Sequence, residues 1–169
     1  MSQSQWRFCQ NCSVMFFGGR NRNAGVCVRP DQGRAHIGEG FEFSLPFSDG
    51  PEAPNTQQNW AFCRKCSSLV WVGIGGDAGV CVGGGGHDTT GSLNFHLPHD
   101  IPEAPSLQQN WRFCRKCHCM FFGGNPGTCV RGGGHDGTGS FNFVLQHGST
   151  FIPPSVPIDP GPDLNPVNE

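Results

Sequence analysis

Twelve residues have the types and spacing of metal ligands, and they fall into three sets of one pattern. Cys9, Cys12, Cys27 and His36 form the first; Cys63, Cys66, Cys81 and His87 the second; Cys114, Cys117, Cys129 and His135 the third. Three thiolates and an imidazole are a complete tetrahedral set for Zn²⁺, and a Cys-x₂-Cys pair lets the backbone turn around one ion. Fourteen residues separate the second and third cysteines in the first two sets, eleven in the last. Eight, five and five residues then lead to the histidine. Loops vary while ligands persist, as a metal site demands and a packing motif does not. The expected cofactor is Zn²⁺ at three sites, although sulfur-rich tetrahedral sites also suit iron. Such a site is closed, whereas catalytic zinc keeps a position open for water. Threefold repetition argues the same way, because chemistry needs one tuned centre. The expectation is a binding protein and no enzyme.

Disulfides are the alternative use of ten cysteines. Three recurring cysteines per repeat would leave one thiol unpaired in each. The start Met1-Ser2-Gln3-Ser4-Gln5 has neither a basic cap nor an apolar stretch, so no secretory signal is read there. A reducing, cytoplasmic setting is expected, with non-classical release as the exception. No apolar run reaches the roughly 20 residues that span a bilayer.

The ligands need elements to hold them. Successive Trp6, Trp60 and Trp111 lie 54 and 51 residues apart, and each opens a Trp-x-Phe-Cys segment. Units of that size bury little apolar surface and need metal or neighbours to stay folded. Gly and Pro, 26 and 14 of 169 residues, raise the entropy lost on folding. We read units at 5–46, 59–98 and 110–146, followed by a Pro-rich tail at 147–169. The connectors Pro51-Glu52-Ala53-Pro54 and Pro102-Glu103-Ala104-Pro105 are alike and stiff, which favours a fixed, pseudo-threefold arrangement.

No helical period is present, and each unit offers four strand candidates. They are Trp-x-Phe-Cys, the run after the second cysteine, Gly-x-Cys-Val, and a closing Phe/Leu-x-Phe-x-Leu. Phe41, Phe43 and Leu45, then Leu93, Phe95 and Leu97, then Phe141, Phe143 and Leu145 alternate with period two and are expected to share one buried face. The fold class is therefore all-β, small and metal-stabilised: three tandem zinc-ribbon-like repeats in contact. A single β-trefoil-like body is the alternative. Gln58-Asn59-Trp60 and Gln109-Asn110-Trp111 resemble the Gln-x-Trp of some trefoil lectins.

Two sets of residues are candidates for ligand binding. Asp88, Ser92 and Asn94, with Asp136, Ser140 and Asn142, follow the metal histidines and offer donors and acceptors to a hydroxyl-rich ligand. They could instead cap turns or accept from the imidazoles. Unit one reads Ile37-Gly38-Glu39-Gly40 there and lacks the set. The aromatic positions Phe17, Trp71 and Phe122 stand beside glycines and could form a stacking platform or belong to the core. Trp6, Trp60 and Trp111 are assigned to the core beside the metal. Cys119 and the histidines 96, 99, 118 and 147 carry no role.

The Trp-x-x-Cys-x₂-Cys openings resemble the single-strand-RNA-binding zinc fingers of the Ran-binding-protein type over about ten residues per unit. Those fingers close with a second cysteine pair, where this chain has Cys…His. Arg64-Lys65 and Arg115-Lys116 put basic charge on two of the turns. The net charge is −2, and three sites of three thiolates and one Zn²⁺ take it to about −5. An acidic protein repels phosphate backbones, which counts against nucleic acid. The first expectation is a multivalent, lectin-like protein with a glycan partner, and the second a protein–protein adaptor.

Overall fold

The computed structural model describes residues 1–19, 23–29, 35–73, 75 and 78–152. They form an all-β structure of three repeats. Unit one contributes β1 (Ser2–Cys9), β2 (Met15–Phe17), β3 (Asn23–Ala24) and β4 (His36–Pro46). Unit two contributes β5 (Thr56–Phe62), β6 (Leu69–Trp71) and β7 (Phe95–Pro98), and unit three β8 (Leu107–Phe113), β9 (Met120–Phe122) and β10 (Phe143–Ile152). In each unit the Trp-x-Phe strand pairs antiparallel with the short strand after the Cys-x₂-Cys turn and with the closing strand.

The closing strands then join across units. Phe47 bridges Phe95, His99 bridges Phe143, and His147 pairs with Phe43. Unit one meets two, two meets three, and three meets one, so a nearly closed, barrel-like sheet surrounds a pseudo-threefold axis. β10 runs six residues past the expected end of unit three, because its last residues pair with β4 at Phe41 and Gly40.

Local sequence explains the bends. Gln5, Asn59 and Asn110 have φ of 71–76°, and each directly precedes the unit's tryptophan. Asparagine tolerates this left-handed region better than most residues. In β5, this position coincides with the register shift between Gln57 and Trp60. Asn94 Oδ1 accepts from the Asn59 amide, and Asn142 Oδ1 from the Asn110 amide. The Gln-Asn-Trp pattern is therefore a strand bulge held by the asparagine just before the closing strand.

Two apolar clusters result. The barrel cluster holds Trp6, Trp60 and Trp111 with Phe43, Phe95, Phe143, Leu45, Leu97 and Leu145, all 1% exposed or less. Phe95 meets Trp6 edge-to-face, Phe143 meets Trp60, and Phe43 meets Trp111, at ring separations of 5.2–5.3 Å. Each tryptophan is thus packed by the closing strand of another unit. The second cluster contains the ligand cysteines with Val14, Phe16, Val70 and Phe121. The tryptophans are core residues, as expected, but belong to the barrel cluster.

Two strand expectations need correction. Gly-x-Cys-Val is not a strand in any unit: Gly25, Gly79 and Gly127 have φ near 60–68°. The turns of units two and three also fold back, with Cys81 donating to Gly85 O and Cys129 to Gly133 O. The face buried in the barrel also starts two residues later than expected, and His96 and Val144 on the opposite face are buried as well. Phe141 is 45% exposed and stacks on His99 at 3.9 Å, while Phe41 stacks on His147 at 3.8 Å. Both rings leave the barrel core to pack on a neighbouring unit's closing strand.

Candidate metal centres

Each predicted ligand set converges. The four ligand atoms of every set lie within 4.8 Å of one another, and all twelve residues are buried. A tetrahedron with metal–sulfur bonds near 2.3 Å and metal–nitrogen bonds near 2.05 Å has edges of about 3.8 Å and 3.6 Å. The Cys9–Cys27 and Cys63–Cys81 Sγ pairs lie 3.9 and 3.8 Å apart. The Sγ–Nδ1 separations are 3.4, 3.7 and 3.5 Å for Cys12–His36, Cys66–His87 and Cys117–His135. The donor sets thus fit a tetrahedral divalent metal.

The Cys-x₂-Cys turns are alike. Ser13, Ser67 and His118, each following the second cysteine, have φ of 66–73° and donate backward to Cys9, Cys63 and Cys114 O at 2.7–2.8 Å. Backbone amides also reach the sulfurs: Gly83 donates to Cys81 Sγ, Arg131 to Cys129 Sγ and Asp136 to Cys114 Sγ. Such donors reduce the charge cost of a thiolate.

The histidines link the sites. His36 Nε2 lies 3.0 Å from Cys66 O, His87 Nε2 2.9 Å from Cys117 O, and His135 Nε2 2.9 Å from Cys12 O. A carbonyl only accepts, so Nε2 carries the proton and Nδ1 is left as the ligand atom. Each imidazole joins its own site to the Cys-x₂-Cys turn of the next unit, and the third returns to the first. Gly25, Gly79 and Gly127 make this approach possible, since a Cβ there would overlap the carbonyl oxygens of Cys66, Cys117 and Cys12 respectively. Backbone bonds follow the same circuit: Phe17 donates to Ser67 O, Trp71 to His118 O and Phe122 to Ser13 O, at 3.0–3.1 Å.

Without metal the sites hold protons. Burial opposes charge on His36, yet the nearby Cys9 and Cys27 sulfurs outweigh it and push the imidazole up to about 10. Burial also opposes charge on His87, where Cys119, Cys63 and Cys81 raise it to about 12. Within each cysteine pair one thiol goes down and the other up. The hydrogen bond with Cys117 lowers Cys114 to about 3, and the same bond, seen from Cys117, raises that thiol. A thiolate–imidazolium set is the state that a divalent cation replaces.

Nothing matches this chain among protein-family models, curated proteins or solved structures.

The expected ligand-binding polar residues are engaged in bonds within their own turns or to the unit's first strand. Thr90 donates to Asp88 Oδ1 from both amide and hydroxyl, and Thr138 does so to Asp136; these bonds hold both carboxyls below the usual range. Ser92 Oγ accepts from the Phe62 amide and Ser140 Oγ from the Phe113 amide. The aromatic candidates flank the barrel: Phe17 is buried, and Trp71 and Phe122 are half-buried, with Trp71 Nε1 donating to Gln58 O. Two basic residues are also tied down, Lys65 Nζ to Gly84 O and Lys116 Nζ to Gly132 O. His96, in β7, and His118, after the third Cys-x₂-Cys turn, are both buried. Cys119 lies among the second cluster, its Sγ 3.7 Å from His87 Nε2.

The linkage of sites through neighbouring carbonyls was not read from the sequence. Its signal was there: a glycine stands two residues before the third cysteine in every unit.

Proposed function

We propose that this protein is a non-enzymatic binding protein whose fold is held by three structural zinc ions. The single observation that carries the reading is the closed, buried Cys₃His set occurring three times and tied in a ring by the histidines. Zinc suits the donor set, and a site with four protein ligands has no position for an attacking water. Free thiols at all ten cysteines suit a reducing, cytoplasmic setting. Cobalt substitution tests the coordination: a tetrahedral thiolate spectrum with three ions per chain supports it. A native iron content, or an octahedral spectrum, would count against zinc in these sites.

For the ligand class we keep carbohydrate. In support, the three unit boundaries repeat an aromatic arrangement: Phe8 with Trp111 and Phe122, Phe62 with Trp6 and Phe17, and Phe113 with Trp60 and Trp71. Aromatic walls beside amide side chains suit the apolar face and hydroxyl rim of a sugar. Three similar weak sites gain avidity on a densely displayed glycan. A glycan array probed with zinc-loaded and with chelated protein tests this. Selective binding lost on chelation supports it, and a blank array shifts the weight to a protein partner.

A further inference from the structure

The boundary between units one and three is open. There a cleft of about 240 Å³ is lined by Phe8, Glu39 and Phe41 from unit one and by Gln108, Trp111 and Phe122 from unit three. Resting on the carbohydrate reading, we infer that this cleft is the principal sugar site, and that it takes a single pyranose ring without an acidic group.

Unit one's deviation from the repeat builds the site. Units two and three read Thr-Gly-Ser before the closing strand; their threonine hydroxyls donate to Asp88 and Asp136 within the turn, and their serine hydroxyls accept from the Phe62 and Phe113 amides of β5 and β8. Unit one reads Glu39-Gly40-Phe41, one residue shorter, so β4 stays paired with β1 and sets Glu39 opposite Phe8. The half-buried Glu39 carboxylate has no partner among the described residues. On the other wall, Gln108 Oε1 accepts from Trp111 Nε1 at 3.0 Å, which leaves the amide nitrogen as a donor. The equivalent Gln3 is buried, whereas Gln108, like Gln57, is half-exposed.

The chemistry is amphipathic. Phe8, Phe41 and Phe122 are half-buried rings around the buried Trp111, a wall for the C–H face of a sugar. Glu39 accepts from hydroxyls or an amino group, and Gln108 donates. The carboxylate also repels a uronate or sialate, as does the acidic protein as a whole.

The test is a fluorescence titration of the full, zinc-loaded chain with methyl glycosides of glucose, galactose, mannose, N-acetylglucosamine and glucuronate. The expected result is binding of at least one neutral or amino-substituted glycoside, with glucuronate at least tenfold weaker. Glu39→Gln and Phe122→Ala should each weaken it tenfold or more while keeping three zinc ions. Phe141→Ala, at the equivalent of Phe41 beside another boundary, should leave it unchanged. Zinc-loaded Glu39→Gln and Phe122→Ala that bind as the parent would overturn the assignment of this cleft while leaving the carbohydrate reading intact. Preference for glucuronate would overturn the sugar class assigned to it. Silence of the parent protein toward every glycoside and on a glycan array would remove both. Capture of tetramethylammonium in the cleft, with no sugar bound, would reassign it to an alkylammonium ligand.

Discussion

Replacing His87 by alanine removes two interactions together, the Nδ1 ligand of site two and the Nε2 donor to Cys117 O in unit three. The variant should hold two zinc ions and lose more than about 4 kcal/mol, the range associated with loss of a metal. Native mass and urea melts check both numbers. Cys119→Ser leaves the zinc count at three, because Cys119 belongs to no ligand set. Gly79→Ala is a sharper probe of the circuit. Its φ is +68°, and a Cβ would meet Cys117 O and His118 Cβ at 2.5 and 2.9 Å, both on the neighbouring unit. It should cost more than about 2 kcal/mol, since the left-handed backbone alone costs roughly 1–2 kcal/mol. Gly75→Ala, whose Cβ would meet nothing within 4 Å, should change stability by less than about 0.5 kcal/mol. The twelve residues that converge were legible in the sequence as candidate ligands because coordination chemistry restricts both residue type and local spacing. The partners of the imidazoles were not, since a carbonyl acceptor leaves no mark on residue identity.

At the scale of elements, strands with an apolar face were readable and turns made by backbone geometry were not. Phe43-Ser44-Leu45 alternates because one face meets the tryptophans; Phe95 and Leu97, and Phe143 and Leu145, meet them in the same way, although His96 and Val144 between them are buried too. Gly25-Val26-Cys27 looked equally strand-like, but its shape is decided by the neighbouring Cys66 carbonyl, about 40 residues away in sequence. The Asp, Ser and Asn cluster misled for a related reason. Short polar side chains serve turns as readily as ligands, and the hydrogen bonds alone distinguish the two. The cross-unit bonds yield a prediction of their own. The amides of Phe17, Trp71 and Phe122 donate to carbonyls of other units. In hydrogen exchange they should open at one common free energy, that of global unfolding. Independent opening of one hairpin, with the other two still protected, would mean that the units fold separately.

For the whole molecule, metal and proton compete for the same sites, and this fixes the sign of the pH dependence. In the metal-free fold His36 is raised from 6.5 to about 10, so its contribution is fully present below about pH 6.5 and is lost as pH rises through 10. Zinc needs the neutral imidazole and the thiolates, so loading releases protons. The stability gap between zinc-bound and metal-free protein should therefore widen from pH 6 to pH 9, by about 1.4 kcal/mol per pH unit for each proton released. Paired thermal melts with and without chelator measure it; a gap that narrows as pH rises would contradict this account of the sites. The threefold closure also implies that the sites act together, because each histidine holds the neighbour's Cys-x₂-Cys turn. The measurement that tests this most directly is a chelator titration followed by native mass spectrometry and near-ultraviolet circular dichroism on one sample. The account predicts three zinc ions per chain, lost over a narrow range with few partly loaded species, and loss of the tryptophan signal in the same step. Retention of that signal after all metal is removed, or disulfides in place of metal, would contradict it.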